Sequence, residues 1–295
     1  MPRRVLIVGC GYVGLAAGAE LVRQGHEVWG LRRSSAANAE LRDVGIVPLN
    51  ADITVPTTLP KAGARFDWVV NCLSGSGGGV AEYRQTYLEG ARHLLSWLAA
   101  APPAQLVYTG STSVYGQTDS SVVDETSPTH PRSSTGPILL ETEQLLLHAT
   151  NLPAAVLRVG AIYGPDRAYW LERFEAGQAS LEGDGSRILN MIHREDVAGA
   201  IIAALARGKP GQVYNAVDDE PVRQSDLLEW LSKRLARTLP PPGTGQVCAT
   251  KRGVTSKKVC NRKLKEELGY QFRFPTFRQG FEQILQAKEA ARLPR

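Results

Sequence analysis

The segment VLIVGCGYVG, residues 5–14, is four apolar residues followed by glycines at positions 9, 11 and 14 in the spacing GxGxxG. An unbroken apolar run predicts a strand buried on both faces, and the GLAAGAELVRQG that follows has helical spacing. The glycines then have separate tasks. Gly9 makes the tight turn, Gly11 lets backbone approach a pyrophosphate, and Gly14 lets the helix pack closely on the strand. The free N–H groups and positive dipole end of the helix would face the phosphates, with Tyr12 and Val13 as flanking contacts. A dinucleotide-binding turn is the reading, against a chance glycine turn.

Outward from this segment, short β-branched runs alternate with helical stretches: EVWGLRR, WVVNCL, QLVYTGS and AAVLRVGAIYG as strands, YLEGARHLLSWLAA and STGPILLETEQLL as helices. Such alternation implies parallel pairing through right-handed crossovers, hence an α/β, doubly wound parallel sheet of the Rossmann kind. Ser134 and Thr135 are suited to cap the STGPILLETEQLL helix, Asp196 the one in IHREDVAGAIIAALARG, and Ser225 the one in SDLLEWLSKRLA. The expected division is a dinucleotide-binding domain over 1–165, to which 188–219 returns. A small C-terminal substrate lobe would take 166–187 and 220–295.

Of the 295 residues, 43% are hydrophobic and 21% charged, the balance of a globular chain, and no apolar run is long enough to span a bilayer. The two arginines before the first apolar run mimic a signal peptide, but glycines interrupt that run in the phosphate-loop pattern, so a cytoplasmic location is expected. Cys10, Cys72, Cys248 and Cys260 show no CxxC pair and read as free thiols, and the five histidines offer no metal-ligand spacing. The formal charge of +5 is uneven: Lys251, Arg252, Lys257, Lys258, Arg262, Lys263 and Lys265 fall in one stretch without an acid. That stretch reads as a solvated face or as a patch for an anionic ligand or macromolecule; nucleic acid has little else in its favour.

The second strand ends in Arg32, Arg33 and Ser34, where an NAD site offers a carboxylate to the ribose and an NADP site offers arginine to the 2′-phosphate. NADP is therefore favoured, with NAD possible; the alternative is a pair of solvated arginines. Asp52 after the third strand is placed to accept from the adenine amino group or to serve as a turn residue. Ile53 beside it, and Cys72, Leu73 and Ser74 after the fourth strand, are further candidate cofactor contacts.

Together, VGCGYVG, NADIT, YLEGARHLL, STSVYG, LRVGAIYGP and MIHREDVAGAI, in that order, resemble the extended short-chain dehydrogenase/reductase superfamily of nucleotide-sugar epimerases and dehydratases. The glycine pattern, GLRR and YLEG look more like its atypical branch. The resemblance implies a YxxxK pair whose tyrosine moves a proton while the lysine lowers its pKa. Aligned on Gly136 and on Glu143 to Leu146, the tyrosine position falls on Thr135 and the lysine position on Leu139. No tyrosine lies between Tyr115 and Tyr163, and no lysine between Lys61 and Lys209, so no shift of register restores the pair. The superfamily's strand-end hydroxyl corresponds to Ser111. The acidic pair of the dehydratases is replaced by Thr112 and Ser113, which argues against sugar dehydration.

Tyr87 is a candidate stand-in for the missing proton donor, while Tyr115 reads as packing and His193 as a structural histidine before a helix. Ser113, Tyr163, Arg158 and Arg187 are candidate substrate contacts, the arginines for an anion, with ion pairing as their alternative role. The expected activity is that of an NADP(H)-dependent oxidoreductase or epimerase on a small, anionic, possibly nucleotide-sugar-like substrate. The alternative is a non-catalytic, redox-responsive NADP-binding regulator or interaction protein. The resemblance implies a monomer or a homodimer.

Overall fold

The computed structural model describes residues 1–60, 65–75, 79–150, 152–240 and 255–292. Seven strands form one parallel sheet: β1 (Arg4–Val8), β2 (Glu27–Arg32), β3 (Val47–Asn50), β4 (Trp68–Asn71), β5 (Gln105–Ser111), β6 (Ala154–Val159) and β7 (Val213–Ala216). Their spatial order is β7-β6-β5-β4-β1-β2-β3. The order reverses between β1 and β4, and at such a switch point the crevice outside the strands' carboxyl ends is free to receive a ligand. Parallel pairing buries both faces of the central strands: Val5 to Val8, Val69, Val70, Leu106 and Val107 have essentially no exposed surface.

Two apolar layers sandwich the sheet. On one face α1 (Tyr12–Arg23) packs against Arg194–Arg207, bringing Ala17, Leu21, Ala200 and Ile201 onto Ile7 and Val107. On the other, α2 (Gly90–Leu98) and α3 (Gly136–Leu147) set Leu94, Leu98 and Leu146 against Leu6, Leu106 and Tyr108. Upstream of α2 the chain enters as one α-helical turn, Val80–Tyr83, and a π-helical stretch, Arg84–Glu89. A third apolar cluster joins α4 (Tyr169–Glu175), α6 (Gln224–Leu235) and α7 (Phe277–Arg292) through Leu171, Phe174, Leu228, Leu231, Phe277 and Phe281.

Several local readings are corrected. AAVLRVGAIYG is two strands, because the chain leaves the main sheet at Gly160. A side chain there would meet the Asn190 carbonyl oxygen at 2.8 Å, and Ala161–Tyr163 pairs with Met191–His193 instead. Ser133 rather than Ser134 or Thr135 satisfies the start of α3, its Oγ accepting from the Gly136 N–H at 2.9 Å. Ser225 lies inside α6, which begins at Gln224. Of the basic stretch, Lys251 and Arg252 lie outside the described residues, and Lys258, Arg262 and Lys265 are exposed around the start of the helix Arg262–Leu268, in keeping with a solvated face. Lys257 is buried, Lys263 donates to the Gln212 side chain at 2.7 Å, and Lys265 pairs with Asp219 at 2.9 Å. Cys10, Cys72 and Cys260 are free thiols, while Cys248 lies outside the described residues.

The helix over Arg194–Arg207, α5, is capped by His193 and not by Asp196. The His193 Nδ1 accepts from the Glu195 N–H at 3.2 Å. Asp196 instead accepts from the Tyr270 hydroxyl at 2.7 Å and from the N–H groups of Arg273 and Phe274 at 2.6 and 2.9 Å, pinning the chain that leads into α7. A ring nitrogen that accepts cannot be protonated, and burial pulls the His193 pKa from 6.5 down to about 4. Between those two values the unfolded chain binds a proton that the folded chain does not, so stability present above pH 6.5 is lost as pH falls, by up to about 3 kcal/mol. Thermal scans from pH 7 to 5 should therefore show a steeper fall in Tm for the native chain than for His193→Asn, which keeps a capping oxygen but cannot titrate. Parallel curves would remove His193 as the cause.

Candidate functional site

The crevice at the switch point is built from the loops that follow β1 to β6. Its floor is the glycine turn. Gly9 has φ +81°, and a Cβ there would stand 2.8 Å from the Leu73 Cα, so both the backbone conformation and the neighbouring loop require glycine. At Gly14 a Cβ would press the Ile7 side chain at 2.9 Å and the Cys72 sulfur at 3.0 Å, which lets α1 lie against β1 and β4. Gly11 differs. Its φ is −96°, and the nearest atom to an added Cβ is the Gly9 carbonyl oxygen at 3.9 Å, so the space above it is open. Tyr12 and Val13 begin α1 and line that opening, at the end of the helix where the first N–H groups have no partner within it.

The crevice has two lobes that share Gly9, Gly11, Leu73 and Ser74. One lies over the end of β2, with Arg32, Arg33 and Ser34 on one wall and Asp52 and Ile53 on another. The Ser34 Oγ accepts from the Ala36 N–H at 3.2 Å, and the Asp52 carboxylate caps its own turn by accepting from the Thr54 N–H and hydroxyl at 2.9 and 2.7 Å. Sequence reasoning missed Glu40, whose carboxylate accepts from the Arg32 Nη1 at 3.0 Å, and Thr86 on the π-helical stretch, which closes this lobe. The signal for Glu40 was its place eight residues beyond Arg32, on the short helix Asn38–Asp43.

The other lobe lies over β5 and β6. Ser111, Ser113, Thr135, Leu139, Tyr87 and Cys72 all reach it, so four stretches distant in sequence are brought to one cavity. The Ser111 Oγ accepts from the Ser113 N–H at 3.2 Å. Tyr87 takes an N–H from Gly75 on its hydroxyl at 3.1 Å, and its ring lies 5.0 Å from that of Tyr83. Thr135 and Leu139 stand one turn apart at the start of α3, buried at the cavity wall. Burial pushes the Cys10 thiol up to about 12 and the Cys72 thiol higher still, so neither is a nucleophile near neutrality. Tyr12, unremarked beyond its flank of the glycine turn, spans to the far wall. Its hydroxyl donates to the Pro165 carbonyl at 2.8 Å, and Arg194 lies over its ring at 4.9 Å.

Two expected substrate contacts are elsewhere. Arg158 is buried in the sheet, its Nε 3.1 Å from both Glu143 carboxylate oxygens and its Nη1 donating to the Tyr115 hydroxyl at 2.8 Å, and it lines neither lobe. Tyr163 is packed between His193 and Phe281, with ring centroids at 5.3 and 4.8 Å, and is likewise walled off. Arg187 does line a third cavity adjoining the Ser111 lobe, where it is ion-paired with Glu182. Among the described residues no helix is long and apolar enough to cross a membrane, and no cluster of His, Cys, Asp and Glu could hold a metal ion.

A sequence profile of the NAD dependent epimerase/dehydratase family matches residues 5–216. Protein YeeZ of Escherichia coli is 26% identical over 92% of this chain and 97% of its own. A Streptomyces 3-diazoavenalumate denitrifying reductase is 27% identical over 94% of this chain and 98% of its own. Among solved structures, a Methylobacillus flagellatus protein assigned to the NAD-dependent epimerases/dehydratases superposes with a TM-score of 0.79 at 32% identity, covering 98% of this chain and 100% of that one. DesIV of Streptomyces venezuelae, a dTDP-glucose 4,6-dehydratase with NAD bound, shares the fold at 20% identity, with a TM-score of 0.81 over 98% of both chains.

Proposed function

The chain belongs to the NAD dependent epimerase/dehydratase family, and from that premise we propose that it is an NADP(H)-dependent oxidoreductase acting on a small anionic substrate without a tyrosine–lysine pair. The observation that carries this reading is the continuous crevice from Arg32 and Arg33, across the open space above Gly11, to Ser111. Its parts suit the two ends of a dinucleotide. Guanidinium groups at the end of β2 match a 2′-phosphate, the helix N-terminus and Gly11 match a pyrophosphate, and the half-buried hydroxyls at β5 match a substrate oxygen. The Streptomyces relative named as a reductase supports redox chemistry as the outcome.

Bound there, the nicotinamide would supply or take a hydride. The chain's own contribution is to hold the two reactants together and to keep hydroxyls of Ser111 and Ser113 at the substrate oxygen, a positioning effect that needs no phenolate. Thr135 and Leu139 supply no group able to shift a proton at neutral pH. That pairing also favours a second reading, a cofactor-holding protein without turnover.

Titration of NADPH fluorescence, followed by NADPH oxidation in the presence of carbonyl compounds, separates the two. Arg32→Ala with Arg33→Ala should weaken NADPH binding by about 100-fold and NADH binding by less than threefold, the loss of two charge-assisted contacts to one phosphate. Equal losses would sink the 2′-phosphate assignment. Binding without oxidation of any carbonyl compound would leave the non-catalytic reading standing.

A further inference from the structure

Beside the Ser111 lobe lies a cavity of about 220 Å³, bounded by Ser111 and Ser113, by Tyr169 and Trp170 at the start of α4, and by Arg187 and Lys257. It shares Ser111, Ser113, Val159 and Gly160 with that lobe, so a molecule held in it abuts the cofactor end of the crevice. Its charges are unequal in a way the sequence conceals. Arg187 is met by the Glu182 carboxylate. Lys257 is only 4% exposed, and its Nζ donates to the Tyr115 carbonyl at 2.9 Å and the Thr255 hydroxyl at 2.8 Å, both uncharged. Among the described residues no carboxylate stands within ion-pair distance of it. An ammonium has three N–H donors, so one is left over.

A buried cation without a counter-charge is costly, and chains rarely retain one without use. Burial and the positive charge of Arg187 pull the Lys257 pKa down to about 8, which still leaves it mostly protonated at pH 7. Its position is also fixed. The Asn190 side chain donates to the Lys257 carbonyl at 2.9 Å and accepts from the Val259 N–H at 2.8 Å, clamping the backbone on both sides. Also on the wall, the rings of Tyr169 and Trp170 meet edge to face with centroids 5.2 Å apart, Arg173 lies over the Tyr169 ring at 5.6 Å, and Tyr169 is 58% exposed, so part of its ring is open to a ligand. The cavity exceeds the ~150 Å³ that holds a benzene ring in a protein interior.

We propose that Lys257 is the anion anchor of this cavity and that the substrate is an aromatic carboxylate of single-ring size. Its carboxylate would lie on Lys257, its ring against Tyr169 and Trp170, and its reacting carbon toward Ser111. A single uncompensated charge suits a monoanion better than a phosphate dianion. This rests on the reading that the adjoining crevice holds the dinucleotide, so NADP⁺ affinity is measured in every sample.

The test is calorimetric titration of trans-cinnamate into the full chain loaded with NADP⁺, with hexanoate, inorganic phosphate and UDP-glucose as comparison ligands. Cinnamate should bind tightest. Lys257→Met should weaken it by about tenfold or more while NADP⁺ affinity stays within twofold. Tyr169→Ala, at an exposed position that spares the fold, should weaken cinnamate by about fivefold and leave hexanoate unchanged. The inference is overturned if UDP-glucose or phosphate binds more tightly than cinnamate, or if both variants hold cinnamate as the native chain does. Failure of NADP⁺ to bind the native chain overturns the cofactor reading instead.

Discussion

Gly11→Asp should lose NADPH affinity by about 100-fold or more, roughly 2.7 kcal/mol, while its thermal midpoint moves by no more than about 2 °C. Gly9 and Gly11 differ in what surrounds them. Gly9 has a positive φ and the Leu73 backbone against it, so any side chain there strains the turn itself. Gly11 has a negative φ and nothing within 3.4 Å of an added Cβ, so the folded chain tolerates a side chain. Aspartate is a favourable residue at a helix N-cap, the position Gly11 occupies ahead of α1. What it removes is the room and the favourable field that a pyrophosphate would use, putting a like charge at the phosphate position. Fluorescence titration with a parallel thermal scan checks both halves. Undiminished binding would mean that no phosphate lies over Gly11.

Arg158→Met should destabilise the chain by about 3–5 kcal/mol, since it leaves the Glu143 carboxylate buried with its counter-charge gone and the Tyr115 hydroxyl without the guanidinium that donates to it. Adding Glu143→Leu should recover most of that loss. Replacing a buried pair by apolar groups of similar volume removes the desolvation penalty along with the attraction. Urea unfolding of the two single variants and the double variant measures the coupling. NADPH affinity should be unchanged in whatever fraction folds, because Arg158 lines neither lobe of the crevice. If Arg158→Met costs less than about 1 kcal/mol, or selectively weakens ligand binding, the buried-pair assignment is wrong.

The legible parts of the sequence were the local ones. Val5 to Gly14 carries strand, turn and helix within ten residues, and Gly9 and Gly14 face neighbours supplied by β1 or by the chain just after β4, while Gly11 faces open space. The central strands announce themselves because parallel pairing buries both faces and leaves no alternation to misread. Arg158 was misassigned because an arginine on an apolar strand looks the same whether its partner is a ligand or a carboxylate fifteen residues back on another element. Asp196 was given the cap because the sequence shows an acid in the first turn but not the Tyr270 hydroxyl and the two N–H groups, more than seventy residues on, that claim it. Lys257 was hidden for the same reason. It reads as one charge in a basic run until its contact with Tyr115, 142 residues away, takes it out of solvent.

The π-helical stretch Arg84–Glu89 has a meaning of its own for how this crevice can vary. A wide turn inside an α-helix is arithmetically one extra residue, and closing it would rotate everything upstream by about 100° relative to α2. The extra residue therefore works as a swivel. Downstream, Leu94 and Leu98 remain locked into the core; upstream, Glu82, Tyr83, Thr86 and Tyr87 are divided between the two lobes of the crevice. Insertion or loss of a single codon here would exchange the set of side chains that faces the ligand without disturbing the core. In such a scaffold specificity can change by register as readily as by substitution.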